Sequence, residues 1–397
     1  MPTRTLRATP IRIDLDDLPA PFATESARRA PEWIEPPEGA SLEVPAGFVV
    51  QRFARNIPMA RWLAVTPDGR VLVAQSREDH ITVLEDADGD GVAERRGTFA
   101  NLDNGLNIPF GMAFASGGFF LGNQDEVRRY PFQRGQPRLV GRGERVTTLP
   151  GGGYHQHWTR NVILDADGQH LFVSVGSRTN VEPEAPPRAA ILRMRLDGSE
   201  REVFATGLRN PVGLAVHPET GVLHASVNER DLLGDGLVPD YFTRVQRGEF
   251  YGWPYAYLHP SNLDPRRSED GRSERPELAR RTRTPDVLFE AHSAALGTTF
   301  LRQDAFPEPY RSGAFVAMRG SWNRSRGTGY QIVFIPFEDG RPLGHYRPFV
   351  TGFLVDPQGP TTWGRPVGVV ETPDGALLFT DEPGGVLYRV SWGGERG

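Results

Sequence analysis

The side chains of this sequence best suited to chemistry are a histidine followed by an indole, in His157-Trp158-Thr159, and several arginines set among small polar residues. Arg209-Asn210-Pro211 and Arg365-Pro366 stand just ahead of apolar runs, whereas Arg77, Asn228-Glu229-Arg230-Asp231 and Arg319-Gly320-Ser321-Trp322-Asn323 stand just behind others. Histidine titrates near neutrality and serves as a general base, the more so when a neighbour such as Trp158 keeps water away. Guanidinium groups pair with carboxylates and stack on flat rings, so arginines grouped around a hollow suit a planar anion. His157 is therefore the candidate base. His155, of the same strand parity, and His292 are its rivals.

A second pattern is acidic. Asp86-Ala87-Asp88-Gly89-Asp90-Gly91-Val92-Ala93-Glu94 places oxygens at positions 1, 3 and 5 of an EF-hand-type loop, with the Val92 carbonyl and Glu94 as further ligands. The glutamate usual at position 12 is absent, Gly97 standing there. The expectation is a structural calcium held by Asp86, Asp88, Asp90, Val92 and Glu94. Asp165, Asp167 and Gly168 form a shorter imitation that reads as a turn.

Composition removes several other chemistries. All 45 basic residues are arginine, so no lysine is present to form a Schiff base, and there is no cysteine for thiolate catalysis, disulfides or zinc-thiolate sites. A net charge of −5 without any basic run argues against a nucleic-acid partner. No GxSxG elbow precedes a helix, and the strings GGGYHQH and SGGFFLG make no GxGxxG fingerprint. No apolar stretch is long enough to span a bilayer. The first residues show no signal peptide, so the chain either stays inside the cell or has lost a leader.

The elements that must position these groups come from a repeat. WLAVTPDGRVLVA, GMAFASGGFFLG, NVILDADGQHLFVSV, GLAVHPETGVLHASV and GVVETPDGALLFT each read as strand, glycine turn, strand, and a diverged copy lies in LGTTFLRQDAFPEPYRSGAFVAM. Most copies stand about 50 residues apart, the period of a repeated sheet. With 45 glycines and 35 prolines and no convincing amphipathic helix, the expected fold is all-β: one six-bladed propeller of four-stranded antiparallel blades over 41–397. Residues 1–40 read as an extended surface arm, and a charged insertion at about 255–285 as an exposed loop. GFVVQRFARNI should complete the last blade beside VLYRVSW. If the glycine turns all lie at the bottom, the polar phrases before first strands and after second strands gather on the top rim.

The phrases HWTRN, LRNPVG, NERD followed by YGWP, HSAALG, RGSWNR and GRPVG resemble the sorbosone dehydrogenase-like and soluble aldose sugar dehydrogenase family, over about 45–393. The resemblance implies a propeller that oxidises sugars with pyrroloquinoline quinone and calcium, outside the cytoplasm in the periplasm or extracellular space. It implies catalytic roles for His157 as base and Arg209 as the residue that stabilises charge on the quinone oxygen. Arg77, Arg209, Asn210, Arg319, Trp322 and Arg365 become cofactor contacts, and the backbone carbonyls of Arg230 and Asp231 the place of the cofactor calcium. The implied partners are a small sugar and an external electron acceptor, the chain being a monomer or homodimer. Arg319 stands where related sequences read histidine, and Ala295 where proline is usual. Arg319 either fills the place of a lysine found in glucose-oxidising relatives or blocks sugar entry. A metal-dependent lactonase or hydrolase built on Asn228, Glu229 and Asp231 side chains, and a propeller that only binds, remain the alternatives. Inward carboxylates favour hydrolysis, and carbonyls beside an arginine ring favour the quinone.

Overall fold

The computed structural model describes residues 1–152 and 157–394, so His155 lies outside the described residues. Each copy of the repeat forms the first two strands of an antiparallel sheet. In order, the first strands are Trp62–Val65, Met112–Ala115, Val162–Leu164, Asn210–Val216, Ala295–Phe300 and Pro366–Glu371. Among the described residues these open six sheets, here sheets one to six, each built of four main strands that follow the chain from centre to rim except for the outer strand of sheet six. Sheet five carries an added short strand, Arg341–Pro342. The first strands touch in succession, and the last meets the first, so the ring closes into a propeller.

Closure has the expected device. Phe48–Ala54 pairs antiparallel with Val386–Trp392 and supplies the outer strand of sheet six, joining the two ends of the repeat region. The apolar residues face both ways from every sheet, and six apolar clusters each lie between one sheet and the next. Phe315 and Phe334 of sheet five, for example, pack with Phe379 and Tyr388 of sheet six. Full burial of such side chains stabilises by about 1.5–3 kcal/mol each. At the hub the first strands approach so closely that only glycine fits. A Cβ on Gly213 would lie 2.1 Å from the Leu296 carbonyl oxygen, and one on Gly368 would lie 2.6 Å from that of Arg61.

Two additions lie outside the sheets. The arm is anchored along its length: Thr3–Thr5 pairs parallel with Leu42–Val44, Ile11 bridges Tyr346, and Glu32–Trp33 pairs parallel with Thr361–Thr362. The insertion differs from the exposed loop expected for it. Its tip, Ser268–Glu269 with Arg272–Ser273, is a short hairpin, but its root is packed, with Tyr255, Ala256 and Ala279 buried against Phe250. Aromatic residues just before the charged stretch supply that anchor. No helix among the described residues is long and apolar enough to cross a membrane.

Candidate active site

The strand register sends the polar phrases to one mouth of the ring. His157, Arg209 and Arg319 line a single hollow of about 470 Å³, together with Asn210, Asp231 and Trp322. A second hollow of about 350 Å³, floored by Val65, Phe114, Leu164 and Val370, is formed by the same first strands further along their length and carries mostly apolar groups.

His157 precedes the first strand of sheet three at a φ of 33°, held by an approach that forbids a side chain opposite it. A Cβ on Gly176 would lie 2.5 Å from the His157 Cβ, so glycine there sets the ring's position. Nδ1 lies 2.9 Å from the Ser177 carbonyl oxygen and 2.9 Å from Ser177 Oγ. A carbonyl can only accept, so Nδ1 carries the proton and Nε2 keeps its lone pair. Burial, then the nearby Arg209 guanidinium, hold this imidazole well below the usual histidine range, against the pull of the Ser177 bond. His157 is therefore a neutral acceptor at physiological pH.

Arg209 is buried and all five of its N–H groups are engaged. They reach Asn180 through Nε (3.2 Å) and Nη2 (3.0 Å), the carbonyls of Asn228 (3.5 Å) and Glu229 (2.5 Å) through Nη1, and Asp231 Oδ2 (3.0 Å) through Nη2. Its contribution to the hollow is charge and loop placement. Arg61 and Arg319 are different. Both donate to Glu382, Arg61 through Nη1 (2.5 Å) and Arg319 through Nε (2.7 Å), while Arg61 Nε has no partner. Glu382 is held at about 2, because the two guanidiniums override the upward push of burial. Arg61 also stacks over Trp158 at 4.8 Å.

Three carboxylic acids face or back this hollow. Asp231 is tied by Arg209 and by Asn323 Nδ2 at 2.8 Å, and its own carbonyl accepts from Asn180 Nδ2 at 3.0 Å. Burial raises Glu229 to about 8 and Asp240 to about 7. His292 lies beside them, within 3.8 Å of Asp231 Oδ1.

A sequence-family model described as TrAA12-like matches residues 42–236 and 267–392. The chain belongs to that family. This agrees with the resemblance carried by the HWTRN, RNP, YGWP and GSWNR phrases. An uncharacterized protein of Borreliella burgdorferi is 27% identical to this TrAA12-like chain over 364 residues, 88% of this chain and 91% of the other. The aldose sugar dehydrogenase YliI of Escherichia coli is 25% identical over 260 residues, 59% of this chain and 60% of the other. The holo form of the pyranose dehydrogenase PQQ domain from Coprinopsis cinerea superposes with a TM-score of 0.73 at 19% identity, covering 91% of this chain and 99% of that one.

Several expected residues of this TrAA12-like protein stand apart from the hollow. Arg77 is exposed on a short turn and is not among the lining residues. Arg365 lies behind the wall, donating from Nε to the Arg319 carbonyl (3.1 Å) and from Nη2 to the Gly320 carbonyl (2.8 Å), so it positions that loop. Arg230 points away into a buried pair with Asp264 at 3.3 Å. Asp86, Asp88, Asp90 and Glu94 gather within 4.8 Å of one another between the third and fourth strands of sheet one, remote from the hollow. Their oxygens accept from the turn's own backbone, as in Gly89 N to Asp86 Oδ1 at 2.8 Å and Val92 N to Asp90 Oδ1 at 2.8 Å. Asp165 and Asp167, expected as a turn, both pair with Arg193.

Sequence reasoning missed Arg61, Glu382, Asp240 and Arg28. The first two carried a signal: Arg61 stands just before a first strand and Glu382 just after a second, the same positions that drew attention elsewhere.

Proposed function

We propose that this chain is a six-bladed propeller dehydrogenase that uses pyrroloquinoline quinone and calcium to oxidise an aldose or sorbosone-type sugar. One observation carries the reading: a neutral imidazole and four arginines, Arg28, Arg61, Arg209 and Arg319, share a hollow whose walls bear buried polar atoms without partners. These are Arg61 Nε, Thr159 Oγ1, Asn210 Oδ1 and Glu229 Oε1. A buried polar atom left unpaired costs about 1–3 kcal/mol, so the hollow suits a ligand rich in hydrogen-bonding groups. The residues present fit a flat tricarboxylate: Arg61 and Arg319 would hold its carboxylates, Asn210 and Thr159 its polar edge, and Trp322 a face.

When bound, the quinone supplies the hydride acceptor. His157 Nε2 takes the proton from the sugar hydroxyl, and the Ser177 carbonyl holds Nδ1–H so that the lone pair stays on Nε2. The fixed charge of Arg209 favours negative charge developing nearby. The backbone carbonyls of Arg230 and Asp231 would offer oxygens to calcium. By analogy with soluble aldose dehydrogenases, its place of work is the periplasm or outside the cell, with an external acceptor taking the electrons.

The hydrolytic alternative requires ionised inward carboxylates for a metal. Burial raises Glu229 to about 8 and Asp240 to about 7, so both resist ionisation at neutral pH, and Asp231 already faces a guanidinium, which disfavours that reading. The deciding experiment is reconstitution with the quinone and calcium, followed by dye reduction across a sugar panel. Bleaching with aldoses supports the proposal. Cofactor binding without turnover of any sugar would leave a binding propeller in its place.

A further inference from the structure

The arm crosses the mouth of the hollow between two of its wall loops. On one side the Phe22 amide donates to the Leu233 carbonyl (2.8 Å), Thr24 Oγ1 accepts from Asp235 N (2.8 Å), and Ser26 Oγ accepts from Gly234 N (3.1 Å). On the other, the Arg29 amide donates to the Trp322 carbonyl (2.8 Å) and its Nη1 to the Gln358 carbonyl (2.8 Å). Between these moorings Arg28 is exposed and lines the hollow, a cation contributed from outside the sheets.

Each of the other cations there contacts a carboxylate of the chain. Arg61 and Arg319 share Glu382, and Arg209 faces Asp231. Arg28 has no such match: among the described residues no carboxylate or carbonyl meets its guanidinium. An exposed guanidinium at the hollow, with no carboxylate of the chain against it, favours a ligand whose outer end is negative.

We infer that the substrate is a sugar acid, an aldose bearing a carboxylate at the end remote from the reacting hydroxyl, and that Arg28 recognises that carboxylate. This rests on the proposed dehydrogenase reading and narrows it from sugars in general to hexuronate-like ones. Arg28 is exposed on the arm, whereas the Glu382 carboxylate beside which the cofactor's carboxylates are proposed to lie is buried, so the anion of Arg28 is assigned to the incoming substrate.

The test compares glucuronate with glucose on the reconstituted protein, for wild type, Arg28→Gln and Arg28→Lys. Three readouts are taken: KM by dye reduction, sugar binding by calorimetry without an electron acceptor, and quinone affinity of the unloaded protein by fluorescence quenching. The expected result is a KM about three- to five-fold lower for glucuronate in wild type, as an exposed ion pair allows. That preference is kept by Arg28→Lys, is abolished in Arg28→Gln, and shrinks in about 0.5 M salt. Equal KM and equal binding of the two sugars in wild type overturns the inference while the dehydrogenase reading stands. A loss of quinone affinity in Arg28→Gln that matches the loss of preference moves the anion to the cofactor and also overturns it. Arg28-dependent glucuronate binding with no turnover of any sugar sinks the dehydrogenase reading instead.

Discussion

Arg61 Nη1 and Glu382 Oε1 lie 2.5 Å apart although 321 positions separate them in the chain. The contact joins sheet one to sheet six beside the point where the ring closes, and Arg319 of sheet five takes the other carboxylate oxygen. One buried anion thus aims two guanidiniums into the hollow. Its carboxyl is held at about 2, the guanidiniums outweighing burial, so its stabilising effect is complete above the ordinary glutamate value near 4.5 and disappears as pH falls toward 2. Glu382→Gln is expected to cost about 3–5 kcal/mol at pH 7 in urea unfolding, with the gap from wild type narrowing below about pH 4.5. A gap that does not change with pH would show that the pair's charge is unimportant.

His157 is expected to stay neutral on acidification through its ordinary value near 6.5, since burial and the positive Arg209 disfavour the imidazolium. Arg209→Met removes that positive charge and should raise the imidazole's titration midpoint, which NMR of the ring would register. His157→Ala should lower turnover by about 10²- to 10⁴-fold while quinone binding is retained, whereas Arg209→Ala weakens both. Undiminished turnover in His157→Ala would pass the base role to His155 or His292.

Glu229 supplies a test of opposite sign. Burial raises its carboxyl to about 8, so the folded state holds a proton that the unfolded state releases near 4.5. That contribution is complete below about pH 4.5 and is lost as pH rises through about 8. Glu229→Gln keeps the neutral form permanently and should gain on the order of 4 kcal/mol over wild type between pH 5 and pH 9, by denaturant titration at each pH. Parallel stability curves would refute the shift.

The acidic turn of sheet one is expected to bind calcium with Asp86, Asp88, Asp90, the Val92 carbonyl and Glu94. Removing calcium with a chelator should then lower Tm, by the equivalent of about 2.7 kcal/mol if the ion is otherwise present at a hundred times its Kd. In Asp88→Asn with Asp90→Asn the part of the response due to this turn should vanish. An unchanged calcium dependence in that double variant would remove the ion from the turn.

The fold was open to reading because it rests on local rules. Alternating apolar strands, glycine turns and a period near fifty residues specify a sheet that needs neighbours on both faces, and the clusters between sheets are made of those residues. The same register brought His157, Arg209 and Arg319 to one mouth, and it contained Arg61 and Glu382 for a reader who applied it to every sheet. Arg77 and Arg365 obeyed the register too, yet stand outside the lining, because register sets the end of a strand and not the direction of its side chain.

What the sequence determined by itself is therefore the repeated strand pattern, its closing strand and the set of polar groups delivered to one rim. Only the tertiary structure decided which of them are charged and which are paired. Burial pushes Glu229 and Asp240 toward their neutral forms, two distant arginines keep Glu382 ionised, and Arg209 spends every N–H on its own chain. It also decided that the arm brings Arg28 to the entrance. Desolvation and pairing depend on atoms hundreds of residues away, and no local spacing records them.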